Sequence, residues 1–153
     1  MTLRKKAFGL TAAFGLNILA GTPLLAAEGT NSIHVYKSPS CGCCSDWVDH
    51  LEDNGFDIEV TETNDLNQIK IDAGLTPALA SCHTAFIGDY VIEGHVPAND
   101  IQRLIADAPK AKGLSVPGMP AGSPGMEVGD RKDHYQVLLF NEQGQSKVFA
   151  EYN

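Results

Sequence analysis

Basic residues are scarce in this sequence, which has 11 lysines and arginines against 19 aspartates and glutamates among 153 residues. The formal net charge is therefore −8 at pH 7. Because nucleic acid phosphates demand lysine and arginine, no nucleic acid partner is expected for so acidic a chain. The charge suits a soluble protein that handles cations. The composition, 43% hydrophobic and 20% charged, is that of one globular domain of ordinary size plus an extension.

Long apolar runs are lacking as well. The most apolar stretch, "AFGLTAAFGLNILAG", is short for a transmembrane helix and contains Thr11 and Asn17. It follows the basic start "MTLRKK" and precedes the small residues of "TPLLAAEG", which is the pattern of a secretory signal peptide. We expect cleavage after Ala26 or Ala27, so that residues 1–27 are removed, the protein is exported and no stable membrane anchor remains.

Hydrophobic periodicity and turn residues divide residues 28–112 into seven elements. Alternating apolar and polar residues indicate strands, whereas apolar residues at helical spacing, such as Cys44, Trp47 and Leu51, indicate helices. Asn64 is the expected N-cap of the second helix. The predicted elements are strands at 32–38 and 56–63, helices at 41–54 and 64–75, a hairpin that turns at Gly88–Asp89 between strands ending at Ile87 and Ile92, and a helix at 97–109. Their order, β-α-β-α-β-β-α, predicts a small α/β sandwich whose first two strands are parallel.

Residues 113–153 differ in composition and are expected to pack on the same domain. A loop rich in glycine and proline, "KGLSVPGMPAGSPGMEVGD", contains the tripeptide Pro-Gly-Met twice and so carries Met119 and Met126. Two methionines in a polar loop are harder to explain as core packing than one, and thioether sulfur is a soft ligand that suits Cu(I) better than Zn(II). The last segment, 134–152, is predicted as two strands around a turn at 142–144.

Three of the four cysteines lie within four residues, in "SPSCGCC", at a predicted strand-to-helix turn. Cys41 and Cys44 have C-x-x-C spacing at the start of the helix, where unpaired backbone N–H groups and the helix dipole stabilise a thiolate. A stabilised thiolate serves disulfide exchange and soft-metal binding equally well. Structural disulfides, for example Cys41–Cys44 together with Cys43–Cys82, are one interpretation. The clustering favours a polynuclear or soft-metal site.

The stretch "CHTAFIGDYVIEG" resembles the segment of thioredoxin- and glutaredoxin-like proteins that runs from the cis-proline loop through a hairpin. In that likeness His83 occupies the place of the cis-proline, which would bring Cys82 and His83 to face Cys41 and Cys44. A non-proline cis peptide bond costs about 3 kcal/mol, so a trans bond is expected. His83 is then either a metal ligand or a hydrogen-bonded residue at a strand start. His95, farther along, either reaches the edge of the site or caps the helix that follows, and the second interpretation is favoured.

The segments "YKSPSCGCCSDWVDHLEDNGF", "LASCHTA", "YVIEGHVPA" and "GLSVPGMPAGSPGME" closely resemble the CopG-type periplasmic copper-resistance proteins. The likeness runs from about His34 to Glu127. It implies a thioredoxin-like fold, copper bound at the C-x-C-C turn as a multinuclear cluster, and a role in copper tolerance that includes interconversion of Cu(I) and Cu(II). It also implies other periplasmic copper-handling proteins as partners. The positions that match the family's motif are Cys41, Cys43, Cys44, Cys82, His83, Met119 and Met126.

The sequence thus favours an exported, periplasmic copper-binding protein over an enzyme, and it leaves a copper-linked oxidoreductase activity open. Two rival functions also stay open. A thiol–disulfide oxidoreductase would use Cys41 as the attacking thiolate and Cys44 as the resolving thiol. A zinc-stabilised structural domain would keep its metal under oxidising conditions.

Overall fold

The computed structural model describes residues 31–153, which form three α-helices and seven β-strands. The strands are β1 (Ser32–Lys37), β2 (Asp57–Glu62), β3 (Thr84–Ile87), β4 (Tyr90–Glu93), β5 (Gly113–Ser115), β6 (Tyr135–Phe140) and β7 (Ser146–Tyr152), and the helices are α1 (Gly42–Asp53), α2 (Leu66–Asp72) and α3 (Ala98–Asp107). The predicted signal peptide at residues 1–27 lies outside the described residues. No helix in the described range is long and apolar enough to cross a membrane.

The seven strands form one open sheet in the order β2-β1-β3-β4-β5-β6-β7. β1 and β2 are parallel and are joined by α1, while β3 and β4 form an antiparallel hairpin that sets Thr84 opposite Glu93. β6 and β7 form the antiparallel hairpin predicted for the end of the chain. The predicted α/β class, the order of the first seven elements and the parallel first pair are therefore confirmed.

β5 lies where the sequence predicts a loop, and on this point the prediction is wrong. Its three residues pair in parallel with β4 and antiparallel with β6, so that β5 links the two hairpins within one sheet. A Cβ atom on Gly113 would overlap the backbone of Val91. Gly113, one of the glycines on which the loop prediction rested, is thus required by the close approach of two strands.

The start of α2 also differs from the prediction. Asp65 rather than Asn64 is the N-cap residue, and the helix covers only seven residues. The backbone N–H of Asp65 donates to the Thr63 hydroxyl oxygen at 3.0 Å, in a local turn that keeps both residues outside the helix.

Helices α1 and α3 cover the main core of the sheet. Trp47 and Leu51 of α1 and Ile101 and Leu104 of α3 are fully buried there, and each such side chain contributes about 1.5–3 kcal/mol by its removal from water. The indole N–H of Trp47 donates to the Val96 carbonyl oxygen at 2.9 Å. A smaller cluster on the opposite face of the sheet contains Ala73, Leu79, Val91 and Phe140. The end of β1 and the start of α1 are thereby held in fixed positions against the sheet.

Candidate metal centre

The C-x-C-C segment lies at the junction of β1 and α1. Cys41 is the N-cap residue of α1, and its backbone N–H donates to the Ser38 carbonyl oxygen at 3.1 Å, which closes the turn after β1. The first turn of the helix then directs Cys44 into the core, where it is fully buried, whereas Cys41 and Cys43 are only half-buried. One helical turn therefore presents sulfur atoms both to the interior and to the surface.

Cys41 and Cys44 are joined by a disulfide bond, whereas Cys43 and Cys82 are free thiols. Of the two bridges weighed from the sequence, the first is present and the Cys43–Cys82 bridge is not. Cys43 Sγ lies 3.6 Å from Cys41 Sγ. All four sulfur atoms lie within 4.8 Å of one another. The expected convergence of the two distant cysteine segments on one point is therefore confirmed.

Cys82 precedes β3 and carries the sulfur atom that faces both histidines of the centre. Its Sγ lies 3.0 Å from His95 Nε2 and 3.4 Å from His83 Nδ1. Burial raises the pKa of the Cys82 thiol to about 11; a hydrogen bond from Ser81 opposes this shift and the neighbouring Cys43 adds to it. At neutral pH Cys82 is therefore protonated, and a metal ion that binds it must displace the proton.

His83 is fully buried in the wall of the centre. Its ring lies 4.3 Å from the ring of Trp47 and 4.9 Å from that of His95, measured between centroids. Burial holds the pKa of His83 well below its usual value, and nearby His95 and Lys70 lower it further. Within residues 31–153 its Nε2 atom has no hydrogen-bond partner. The peptide bonds in this range are all trans, as expected at His83.

His95 belongs to the centre, so the structure supports the alternative in which it reaches the site and not the favoured helix-cap interpretation. It is fully buried, and its Nδ1 lies 2.8 Å from the Pro124 carbonyl oxygen. The sequence could have indicated this position. The hairpin that turns at Gly88–Asp89 pairs Thr84 with Glu93, and the same register, continued by two residues on each strand, sets two further residues opposite each other. Those two residues are Cys82 and His95.

The two Pro-Gly-Met tripeptides flank the cysteine segments. The backbone N–H of Gly118 donates to the Ala80 carbonyl oxygen at 3.1 Å, and the Ser81 hydroxyl donates to the Gly118 carbonyl oxygen. Gly125 lies against the backbone of Cys43 and Trp47. Each tripeptide is thus fixed beside one cysteine segment. The side chain of Met119 is 55% exposed and that of Met126 is half-buried, and direct binding of metal by either thioether stays a prediction.

A buried ion pair that the sequence analysis did not single out supports the Cys82 segment. The carboxylate of Glu93 is fully buried and accepts hydrogen bonds from Lys70 Nζ at 2.5 Å, from the Ser81 backbone N–H at 2.6 Å and from the Thr84 hydroxyl at 2.7 Å. Burial raises the pKa of Glu93, while Lys70 opposes that shift. The pair fixes the backbone directly before Cys82.

The donor set fits a soft metal ion. Thiolate and thioether sulfur select Cu(I), and neutral imidazole binds copper in both common oxidation states. Burial keeps both histidines neutral, since it lowers the pKa of each below its usual value. In the disulfide state two sulfur atoms are bonded to each other, so the four-sulfur set becomes available to a metal only after reduction.

Comparison with known proteins is consistent with a metal site at the cysteine cluster. Two solved structures, described as copper resistance protein CopG in form 2 and form 1, are each 46% identical to this chain and match it with TM-scores of 0.76 and 0.75. The matches cover 80% and 79% of this chain and 98% and 96% of theirs. A family model described as a protein of unknown function, DUF411, matches residues 79–126. A search of curated proteins gives no match.

The fold and the cysteine site therefore define an α/β protein with a cysteine cluster that could hold a metal ion. More narrowly, the chain belongs to the CopG family, and the likeness is consistent with the thioredoxin-like fold expected from the sequence. The sequence-based resemblance is confirmed.

Proposed function

We propose that this chain is an exported copper-binding protein of copper resistance that binds Cu(I), as a multinuclear cluster, through the C-x-C-C turn. The observation that carries the proposal is the convergence of four cysteine sulfur atoms within 4.8 Å at the N-terminus of α1. His83 and the methionines complete the proposed ligand set. The ligands are Cys41, Cys43, Cys44, Cys82, His83, Met119 and Met126.

Reduction of the Cys41–Cys44 bridge is the first step of copper loading in this proposal. An external dithiol supplies two electrons and two protons, becomes a disulfide itself and converts the Cys41–Cys44 disulfide to two thiols, whose protons pass to solvent when the metal binds. Backbone N–H groups at the start of α1 favour the resulting negative charge. Thiolate sulfur can bridge two ions, so that a few residues hold several Cu(I) ions.

Interconversion of Cu(I) and Cu(II) is part of the proposal. Sulfur donors favour the reduced ion, whereas imidazole also tolerates the oxidised one. Cys82 Sγ and His83 Nδ1 lie 3.4 Å apart and so bring a sulfur donor and an imidazole donor into the same site. Each conversion exchanges one electron with an external redox partner.

The proposed location is the periplasm, which is supported by the signal-peptide pattern of residues 1–27 and by the resemblance to periplasmic copper-resistance proteins. An exported copper protein must receive or deliver its metal, so other periplasmic copper-handling proteins are the proposed partners. The acidic surface implied by the net charge of −8 is compatible with the approach of copper cations.

Titration of Cu(I) into the anaerobically reduced protein, against a competing chelator, tests the proposal. We expect more than one Cu(I) per chain, with lower stoichiometry in Cys41→Ser and Cys44→Ser. Ser45→Ala, which changes the residue next to Cys44 without removing sulfur, is the matched control and should behave as the wild type. Uptake of less than one Cu(I) per chain by the reduced wild-type protein would contradict the proposal.

A thiol–disulfide oxidoreductase is the second candidate, and the Cys41–Cys44 bridge at a helix N-terminus favours it. This activity would reduce or form disulfides in a test protein without copper, and would survive replacement of Met119 and Met126. Reductase assays on copper-free protein therefore separate the two functions.

A further inference from the structure

The two edge strands of the sheet, β2 and β7, differ in how they are protected. The outer edge of a strand carries backbone N–H and C=O groups with which another chain can pair, so proteins usually interrupt or shield it. β7 is interrupted, because it pairs with β6 on both sides of Phe149 but leaves Phe149 itself out of register. Arg103 also donates to the Phe149 carbonyl oxygen at 3.0 Å. β7 is therefore a poor template for a further strand.

β2 has neither of these protections. It pairs with β1 through all six of its residues without a bulge. In the part of the chain that the structure describes, no strand pairs with its outer edge. Val60 of β2 is in register with the buried Val35 of β1, yet it is 41% exposed. A further strand beside β2 would shield part of this side chain, and the burial of apolar area would favour the pairing.

The charge around β2 determines which chain can pair there. Between Lys37 and Lys70 the sequence has eight aspartates and glutamates and no lysine or arginine. Among the described residues only Glu62 of these eight forms an ion pair, with Lys37. Residues 31–37 and 70–153 together have ten acidic and eight basic residues, so their charges nearly balance. The negative charge of the protein is thus concentrated in the segment that forms α1 and β2.

Like charges disfavour a second copy of this chain at the β2 edge. Asp57 and Glu59 are both exposed and, being two residues apart on a strand, lie on the same face of the sheet. Two β2 strands side by side would bring these carboxylates against those of the other copy, and like charges directly opposite each other destabilise a strand pair. Lysine or arginine at every second position of an incoming strand would meet opposite charge instead.

We propose that the outer edge of β2 is the docking site for an extended, basic segment of a partner protein, which adds a strand to the sheet. Backbone hydrogen bonds provide the affinity, and lysines or arginines spaced two residues apart select the segment. Glu62 at the end of β2 is in register with Lys37, and the carbonyl oxygen of the next residue, Ser38, accepts the Cys41 N–H. The docked strand therefore lies two strand spacings, about 10 Å, from the end of β1 that leads into the C-x-C-C turn. The inference goes beyond the proposed function and requires no bound metal.

Peptide binding to the isotope-labelled, disulfide-closed protein tests the inference. The probe is a capped hexapeptide of alternating lysine and valine, and its control has glutamate in place of lysine. We expect the lysine peptide to bind at least about tenfold more tightly than the control and to protect backbone amides of residues 57–62 from hydrogen exchange, with no added protection in β7. Raising the salt concentration should weaken the binding, because the contacts are between exposed charges.

Charge reversal on β2 provides a matched pair of variants. Glu59→Lys should weaken binding of the lysine peptide about fivefold, because an attractive cross-strand pair becomes a repulsive one. Asp107→Lys makes the same change of charge at the exposed end of α3 and should leave the affinity within about twofold of the wild type. Wild-type binding by Glu59→Lys would overturn the inference.

N-methylated versions of the lysine peptide separate strand pairing from simple charge attraction. One version carries methyl groups on the backbone nitrogens of its lysines and the other on those of its valines, so that each removes the hydrogen-bond donors along one edge of the peptide. At least one version should lose binding. Equal binding of all three peptides would overturn the inference, as would failure of the lysine peptide to bind or protection of β7 instead of β2.

A dimer that protects the β2 amides without any peptide would also overturn the inference, because the occupant would then be a second copy. Sedimentation of the peptide-free protein detects it, and we expect a monomer. None of these measurements involves copper, so they leave the Cu(I) titration as a separate test of the proposed function.

Discussion

Gly125 packs so closely against Cys43 that no side chain fits between the two residues. A Cβ atom on Gly125 would lie 2.7 Å from the Cys43 carbonyl oxygen and 2.7 Å from the Trp47 backbone nitrogen. Gly125 also has a φ of +78°, a conformation that favours glycine. The second Pro-Gly-Met tripeptide is therefore fixed to the first turn of α1 by backbone contact.

Replacement of this glycine should lower the stability of the fold. We expect Gly125→Ala to lower the free energy of unfolding by about 3 kcal/mol, because strain at positive φ adds to a steric clash with α1. Gly118→Ala is the matched control, since Gly118 also has a positive φ but open space around it, and it should cost about 1 kcal/mol. Denaturant unfolding of the metal-free proteins measures both. Equal losses in the two variants would refute the clash.

The two methionines should contribute unequally to Cu(I) affinity. Met126→Leu removes a half-buried thioether beside the Cys43 segment, and we expect it to weaken Cu(I) binding by about tenfold, or about 1.4 kcal/mol. Met119→Leu removes a thioether that is 55% exposed and should have a smaller effect. Both changes conserve volume and should alter stability by less than about 1.5 kcal/mol. Competition with a Cu(I) chelator gives the affinities, and wild-type affinity in both variants would exclude the methionines as ligands.

The buried ion pair should be costly to break and cheaper to remove. Lys70→Met leaves the charge of Glu93 buried without its partner, so we expect the free energy of unfolding to fall by about 3–5 kcal/mol. The double variant Lys70→Met/Glu93→Gln should recover much of that loss. Lys37→Met is a useful comparison because its partner Glu62 is half-exposed, and it should cost about 1 kcal/mol or less. A double variant no more stable than Lys70→Met would contradict this account.

Stability should fall in acid because His50 caps α3. The backbone N–H of Ala98 donates to His50 Nε2 at 3.2 Å, which requires a neutral ring. Burial lowers the pKa of His50 below its usual value of 6.5, although Glu127 and Asp53 oppose the shift. The unfolded chain therefore takes up a proton at higher pH than the folded chain does. The stabilisation is complete above the unfolded pKa and is lost as pH falls through the folded pKa.

His50→Gln provides the measurement. We expect it to cost about 1 kcal/mol at pH 8, similar to the loss of a helix cap, and progressively less toward pH 5. Unfolding curves at several pH values would show the wild-type and variant stabilities converging. Parallel pH profiles would show that His50 does not titrate with folding.

Local patterns account for the parts of the fold that the sequence predicted. β1, α1 and β2 follow from hydrophobic periodicity within each segment, and the hairpin of β3 and β4 follows from the Gly88–Asp89 turn. β5 could not be found in this way, because three residues show no period and are defined as a strand only by the strands on either side. The glycine- and proline-rich composition around Gly113 predicted a loop where the structure has a strand.

The sequence predicted those residues of the candidate site that are cysteines or that belong to a recognisable motif. The convergence of Cys82 with the C-x-C-C turn followed from the family resemblance, whereas His95 required counting across the hairpin. The Lys70–Glu93 pair depends on where α2 lies over the sheet, which no local pattern specifies. The closed Cys41–Cys44 bond depends on distances between sulfur atoms and on redox state, and the sequence left it as one alternative.

The unequal burial of Cys41 and Cys44 determines which sulfur atom of their disulfide bond an external thiol can attack. Cys44 is fully buried and Cys41 is half-buried, so an incoming thiol can reach only Cys41. An external thiolate that attacks Cys41 would form a mixed disulfide at the surface and release Cys44 as a thiolate beneath it, where the N-terminus of α1 favours the negative charge. Reduction of the bond would therefore begin at Cys41 on the solvent side and leave the negative charge on Cys44 Sγ, on the inner side of the helix.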